Sequence, residues 1–304
     1  MRGDPHLTPK FVNQESLGAK FSSWAHRSRS LEVLILLGSR ARTGTRVGAA
    51  DNRSDWDFQV VSTSPSMFDD SAWAIDAGLA NALVYTSRPG RLGRVKKISG
   101  VFVQGEIDIA LLPIAWMRVG KMLNRLKVGH QIAHVRSALG ELSMVLAPGY
   151  QVLKGSLGWQ RFFRDVVRGY PPSRLDNPAV IAAAQCFLCD YMSTFSKIDR
   201  GEFIAAQRWL HTQLAEVNFK LYYELRQRLN KPAFPDARRI EALEDECWRE
   251  ALSISAVPDQ ESLTNAVEKS AVSCCRLVHE LVGSQWNWPM RPSNCPRWPG
   301  RHMK

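Results

Sequence analysis

Leu34-Ile35-Leu36-Leu37-Gly38-Ser39-Arg40-Ala41, followed by Ser54-Asp55-Trp56-Asp57-Phe58, is the stretch whose reading decides the fold. The apolar run predicts a strand over 31–37 that ends in a Gly-Ser turn. The next run predicts a strand from Trp56 to Val61 that brings in two aspartates two residues apart. Residues i and i+2 of a strand share a face. Asp55 and Asp57 therefore project together, and Trp56 and Phe58 project the other way. Two carboxylates held that close repel unless a cation lies between them. Hard oxygen donors of this kind suit Mg²⁺, which keeps waters and shares substrate phosphates. The Gly38-Ser39 turn offers backbone N–H groups and a hydroxyl where a phosphate chain could lie. The pattern points to a metal-dependent enzyme acting on a nucleoside triphosphate.

A third carboxylate follows. Val101-Phe102-Val103-Gln104-Gly105-Glu106-Ile107-Asp108-Ile109-Ala110-Leu111-Leu112-Pro113 predicts the turn and second strand of a hairpin over 95–112. Ile107, Ile109 and Leu111 share one face; Glu106, Asp108 and Ala110 share the other. An acidic position on each of two sheet strands is unusual without a ligand. With Asp108 beside Asp55 and Asp57, the three form a cradle for two metal ions.

Gly-Ser, then Asp-x-Asp, then a distant strand aspartate resembles the active-site pattern of the polymerase-beta-like nucleotidyltransferases. Within that superfamily the chain resembles the bacterial aminoglycoside adenylyltransferases, the streptomycin 6-adenylyltransferase group in particular. The resemblance spans about residues 11 to 245. It implies an α+β protein: a small mixed β-sheet nucleotidyltransferase domain followed by an all-α helical bundle. It implies catalytic, metal-binding Asp55, Asp57 and Asp108, nucleotide contacts from Gly38, Ser39 and Arg40, two Mg²⁺ ions, and ATP as the substrate. In Ser196-Lys197-Ile198-Asp199-Arg200-Gly201-Glu202 it implies that Lys197 is a point charge on the triphosphate. The implied reaction moves AMP to the hydroxyl of a small-molecule acceptor, an aminoglycoside, and so confers resistance.

Composition bears on the acceptor. The net charge is +11, with a cluster at Arg88, Arg91, Arg94, Lys96 and Lys97. A basic surface favours anionic partners. It therefore supports a second reading, a toxin-type nucleotidyltransferase modifying tRNA or a protein. A third reading is a nucleotide-binding module without turnover; a mutually repelling triad would serve no purpose there. With no uninterrupted apolar run of about eighteen residues and no apolar core at Met1–His6, no membrane partner and a cytoplasmic location are expected. Six scattered cysteines read as reduced thiols. Cys186 and Cys189 form a Cys-x-x-Cys that reads as helix core. The charge pattern leaves the oligomeric state open.

Three segments are expected: a nucleotidyltransferase domain over 1–150, a helical domain over 151–285, and a disordered tail rich in Pro, Trp and Arg over 286–304. Helices are predicted over 11–28, 71–79 and 114–126. Another opens at Pro178, and one with apolar residues from Phe203 to Leu225 has Asp199 and Glu202 as its capping box. A further helix starts at Asp236, and the last runs from Leu263 to Leu281. Trp159, Phe162 and Phe163 read as ordinary packing, with an acceptor wall as the sharper alternative.

Overall fold

A computed structural model of the chain describes residues 14–42, 50–51, 54–89, 95–171, 174–234, 238, 240–243 and 246–289. The chain divides into two compact units, residues 1–173 and 174–304. The fold is α+β, with a six-stranded mixed sheet in the first unit and helices throughout the second.

The strands are β1 (Leu31–Leu36), β2 (Trp56–Ser62), β3 (Val84–Pro89), β4 (Lys96–Phe102), β5 (Gly105–Pro113) and β6 (Gln151–Lys154), in the order β3-β4-β5-β2-β1-β6. Among the described residues β2 and β5 pair in parallel, and the other four pairings are antiparallel. The β4–β5 hairpin turns at Val103-Gln104, and Gly105 takes a φ of 143° that L side chains rarely adopt.

The period-2 alternation read from the sequence sorts the sheet into two faces. Leu34, Leu36, Phe58, Val60, Ile98, Ile107, Ile109 and Leu111 form one core with Leu17, Phe21 and Trp24 of α1 (Gln14–Arg27) and with Trp73 of α3 (Ala72–Asp76). Val33, Ile35, Val61 and Leu112 point to the opposite face. There they pack with Met117 of α4 (Ile114–Arg125), Leu139 and Leu142 of α5 (Ala133–Leu146), and Trp159, Phe162 and Phe163 of α6 (Leu157–Gly169). Burying each such aromatic or Leu side chain contributes about 1.5–3 kcal/mol.

The boundary expected at 150 falls later. β6 pairs with β1, and α6 completes the second core, so residues 151–171 belong with the sheet. The aromatics of α6 are packing residues, with Trp159 Nε1 donating to Glu32 Oε1 at 2.7 Å.

In the second unit, α7 (Asn177–Asp199) starts at Asp176, whose carboxylate accepts from Ala179 N–H at 2.8 Å, with Pro178 in the first turn. It is followed by α8 (Phe203–Trp209), a π-helical turn (Leu210–Leu214), α9 (Ala215–Arg228), α10 (Glu246–Leu252) and α11 (Gln260–Val282). Asp259 caps α11, accepting from Ser262 N–H, and Gly283 ends it at a φ of 59°. Phe187, Leu210, Leu214, Leu221, Val267 and Leu277 centre this core. Buried Glu224 joins Arg174 and Arg228.

Several expectations are corrected here. The stripe of α7 that is buried runs through Val180, Ala184, Phe187, Tyr191, Thr194 and Ile198, which turns Cys186 and Cys189 outward. By length and composition this helix could also cross a membrane; its buried stripe packs into the core of the unit. The Asp199–Glu202 capping box does not form: Glu202 accepts from Arg200 instead. The helix expected from Phe203 to Leu225 is interrupted by the π turn. Asp236 lies outside the described residues, as do 290–304. Trp286 and Trp288 precede that end and are docked, with Trp288 5.9 Å from Phe187 and 6.0 Å from Tyr191 between ring centroids.

Candidate active site

The site is assembled by the parallel pair at the centre of the sheet. In the β2–β5 register Asp57 lies directly opposite Asp108, and Trp56 opposite Ile107. Side chains opposite each other on neighbouring strands share a face. Both aspartates therefore stand on the face that α4–α6 pack against, but at the far end of the strands from Val61 and Leu112. Asp55 enters just before β2. One carboxylate oxygen from each of Asp55, Asp57 and Asp108 lies within 4.8 Å of the others, and all three residues are half-buried. Like charges this close are destabilising unless countered.

The Gly-Ser turn reaches the same place. Leu37 N–H donates to Asp57 O at 2.8 Å, which ties the end of β1 to the start of β2. Gly38 then adopts a φ of 68° and leads into α2 (Gly38–Ala41). A Cβ built on Gly38 would stand 2.1 Å from Asp57 Oδ2. Glycine is thus required twice over, by the left-handed backbone and by the carboxylate pressed against it.

Arg40, expected to contact phosphate, reaches back to the start of β2. Its Nε and Nη2 donate to Ser54 O at 3.1 and 2.7 Å, Nε also reaches Asp55 O at 3.2 Å, and its guanidinium lies 4.3 Å over the Trp56 ring. Trp56 stacks on Phe58 with ring planes 6° apart and fills the space beside Gly18. The arginine thereby fixes the backbone that carries Asp55. Lys197, in the second unit, holds its ammonium 4.2 Å over the Trp209 ring.

Two residues at the triad were not singled out from the sequence. On β4, Ser99 lies opposite Asp108 in the antiparallel register and its hydroxyl donates to Asp108 Oδ1 at 2.5 Å. Lys97, two residues earlier on the same face, places its ammonium 2.5 Å from Asp108 Oδ2. Strand parity was the available signal: in a hairpin closing at residues 103–104, position 99 falls opposite position 108. Lys97 had been grouped with a basic cluster. In the fold it faces Asp108, and Lys96 pairs with Asp69. Arg91 and Arg94 lie outside the described residues.

Three carboxylates with a hard oxygen donor set fit a divalent cation such as Mg²⁺. A cavity of about 710 Å³ lies farther along the sheet, lined by Leu112, Trp116, Met117, Leu139 and Phe162 and by none of the three aspartates. It is not where the donors converge.

No family model and no curated protein matches the chain by sequence. Two solved structures are similar to it in arrangement. An aminoglycoside 6-adenyltransferase from Bacillus subtilis aligns over 92% of this chain and 94% of that one, with 11% identity and a TM-score of 0.37. A nucleotidyltransferase-like protein from Exiguobacterium sibiricum 255-15 aligns over 88% and 74%, with 11% identity and a TM-score of 0.33. At such values the likeness carries no argument about chemistry; the carboxylate geometry carries it.

Proposed function

We propose that this protein is a metal-dependent nucleotidyltransferase that moves a nucleoside monophosphate from a nucleoside triphosphate, ATP, to an acceptor hydroxyl. The observation that supports it is the convergence of Asp55, Asp57 and Asp108 within 4.8 Å, beside a glycine turn whose space is filled by Asp57. Carboxylates of this triad would hold Mg²⁺, which when bound neutralises phosphate charge and polarises the phosphoryl oxygens. The acceptor hydroxyl loses its proton to solvent water as its oxygen bonds to the α-phosphorus, the α–β phosphoanhydride bond breaks, and pyrophosphate leaves. The protein's own contribution is positioning. The Leu37–Asp57 hydrogen bond and the Arg40 clamp set the backbone of two of the carboxylates, and the Gly38-Ser39 turn would offer N–H groups and a hydroxyl to the triphosphate.

For the acceptor we propose an aminoglycoside hydroxyl, which rests on the motif resemblance alone. The net charge of +11 favours an anionic acceptor such as tRNA. Pyrophosphate release from Mg-ATP by the full chain, assayed against a library holding aminoglycosides and bulk tRNA, tests both. Release with one class of acceptor that is lost in Asp55→Asn supports the reading. Absence of release with every acceptor, alongside measurable nucleotide binding, would leave a binding module in its place.

A further inference from the structure

The third aspartate has a strand-borne cation beside it. Lys97 and Ser99 project from β4 on the same face, and between them they engage both oxygens of Asp108. The contact is built into the sheet: the Ser99–Asp108 pairing is fixed by the hairpin register, and Lys97 is one strand repeat away. Lys97 and Asp108 are both partly buried, with side chains 36% and 21% exposed, so solvent screens this pair less than a surface one. A divalent ion on Asp108 Oδ2 would sit within a few ångströms of the ammonium, and two cations that close repel strongly in a half-buried site.

Resting on the metal-site reading above, we propose that Lys97 is a resident counter-cation that takes the second ion's place at Asp108. The site then binds one divalent ion, through Asp55 and Asp57, rather than the two expected from the sequence. Lys97 is a positioning residue here. It offsets the third negative charge and holds the Asp108 carboxylate in one orientation, with Ser99 as the second anchor.

The full-length protein, titrated with Mn²⁺ alone and followed by the EPR signal of free Mn²⁺, tests this directly. Wild type is expected to bind one equivalent. Lys97→Met is expected to bind two, and Lys97→Met with Asp108→Asn to return to one. Lys97→Arg keeps the charge and should stay at one equivalent, which separates the electrostatic role from general damage; circular dichroism establishes that each variant is folded. Two equivalents in wild type, unchanged in Lys97→Met, would overturn the counter-cation and leave the metal site standing. One equivalent in every variant would overturn it as well. No binding in wild type would remove the metal site and the proposal together.

Discussion

The two faces of the sheet follow the same alternation rule to opposite ends. One face is apolar from Trp56 to Val60 on β2 and from Ile107 to Leu111 on β5, where Phe58, Val60, Ile107 and Ile109 are each no more than 1% exposed. The other face is apolar only at the Val61–Leu112 end; at the opposite end the strand positions go to Asp57 and Asp108, with Ser99 and Lys97 on the neighbouring strand. The strands are the same, so the difference cannot lie in local propensity. It lies in what each face packs against. A fully packed face supplies the stability that allows a like-charged cluster to persist on the other.

This contrast can be broken from either side. Phe58→Ala removes a buried ring that touches Phe21 and Trp56. It should cost about 3–5 kcal/mol, read as a lowered urea midpoint for the first unit. Asp55→Asn, on the chemical side, should lower turnover by at least about 100-fold, equivalent to about 2.7 kcal/mol of barrier. Its urea midpoint should stay within about 0.5 kcal/mol of wild type, because the side chain is half-exposed. If the two substitutions had similar effects on stability, the division between the faces would be wrong.

Gly38→Ala sharpens the comparison at the point where the turn meets the acidic end. Strain from the positive φ and the collision with Asp57 should cost about 1–2 kcal/mol. A Mn²⁺ titration should show weakened binding, because the carboxylate must move. The smallest effect belongs to the apolar face. Tyr85 donates to Phe68 O and accepts from Trp73 Nε1, and burial pushes its phenol up to about 12. A raised folded value means the contribution is complete below the ordinary value of 10 and is lost as the pH climbs through 12. Urea midpoints between pH 9 and 12 should therefore fall less steeply in Tyr85→Phe than in wild type.

Much of the first unit was legible because its information is local. The Leu34–Leu37 run, the Asp-x-Asp and the alternation from Glu106 to Leu112 each specify a strand and a face without reference to the rest of the chain. The convergence of Asp57 and Asp108 was inferred from chemistry, and the parallel register that produces it is set by contacts fifty residues apart, which no window of sequence contains. The same limit explains the missed domain boundary. Gln151–Lys154 is a four-residue strand with no pattern of its own, specified by the open edge of β1. Arg40 was read as a phosphate ligand because an arginine after Gly-Ser has an obvious charge partner in a nucleotide; its grip on the Ser54 and Asp55 carbonyls depends on a loop closure invisible in the primary structure. Lys97 was read by its charge and its neighbours in sequence, whereas its role follows from its neighbours across the strand.

Lys154, on the last strand, donates to Ala25 O and Ser28 O, the carbonyls that end the first helix, both at 2.7 Å. During synthesis this ordering has a consequence. Until residues 151–154 have been made, the outer edge of β1 has no partner strand. The arrival of one short segment closes the edge and fastens the helix made first. The sheet of this unit is therefore complete only once its sixth strand has been made.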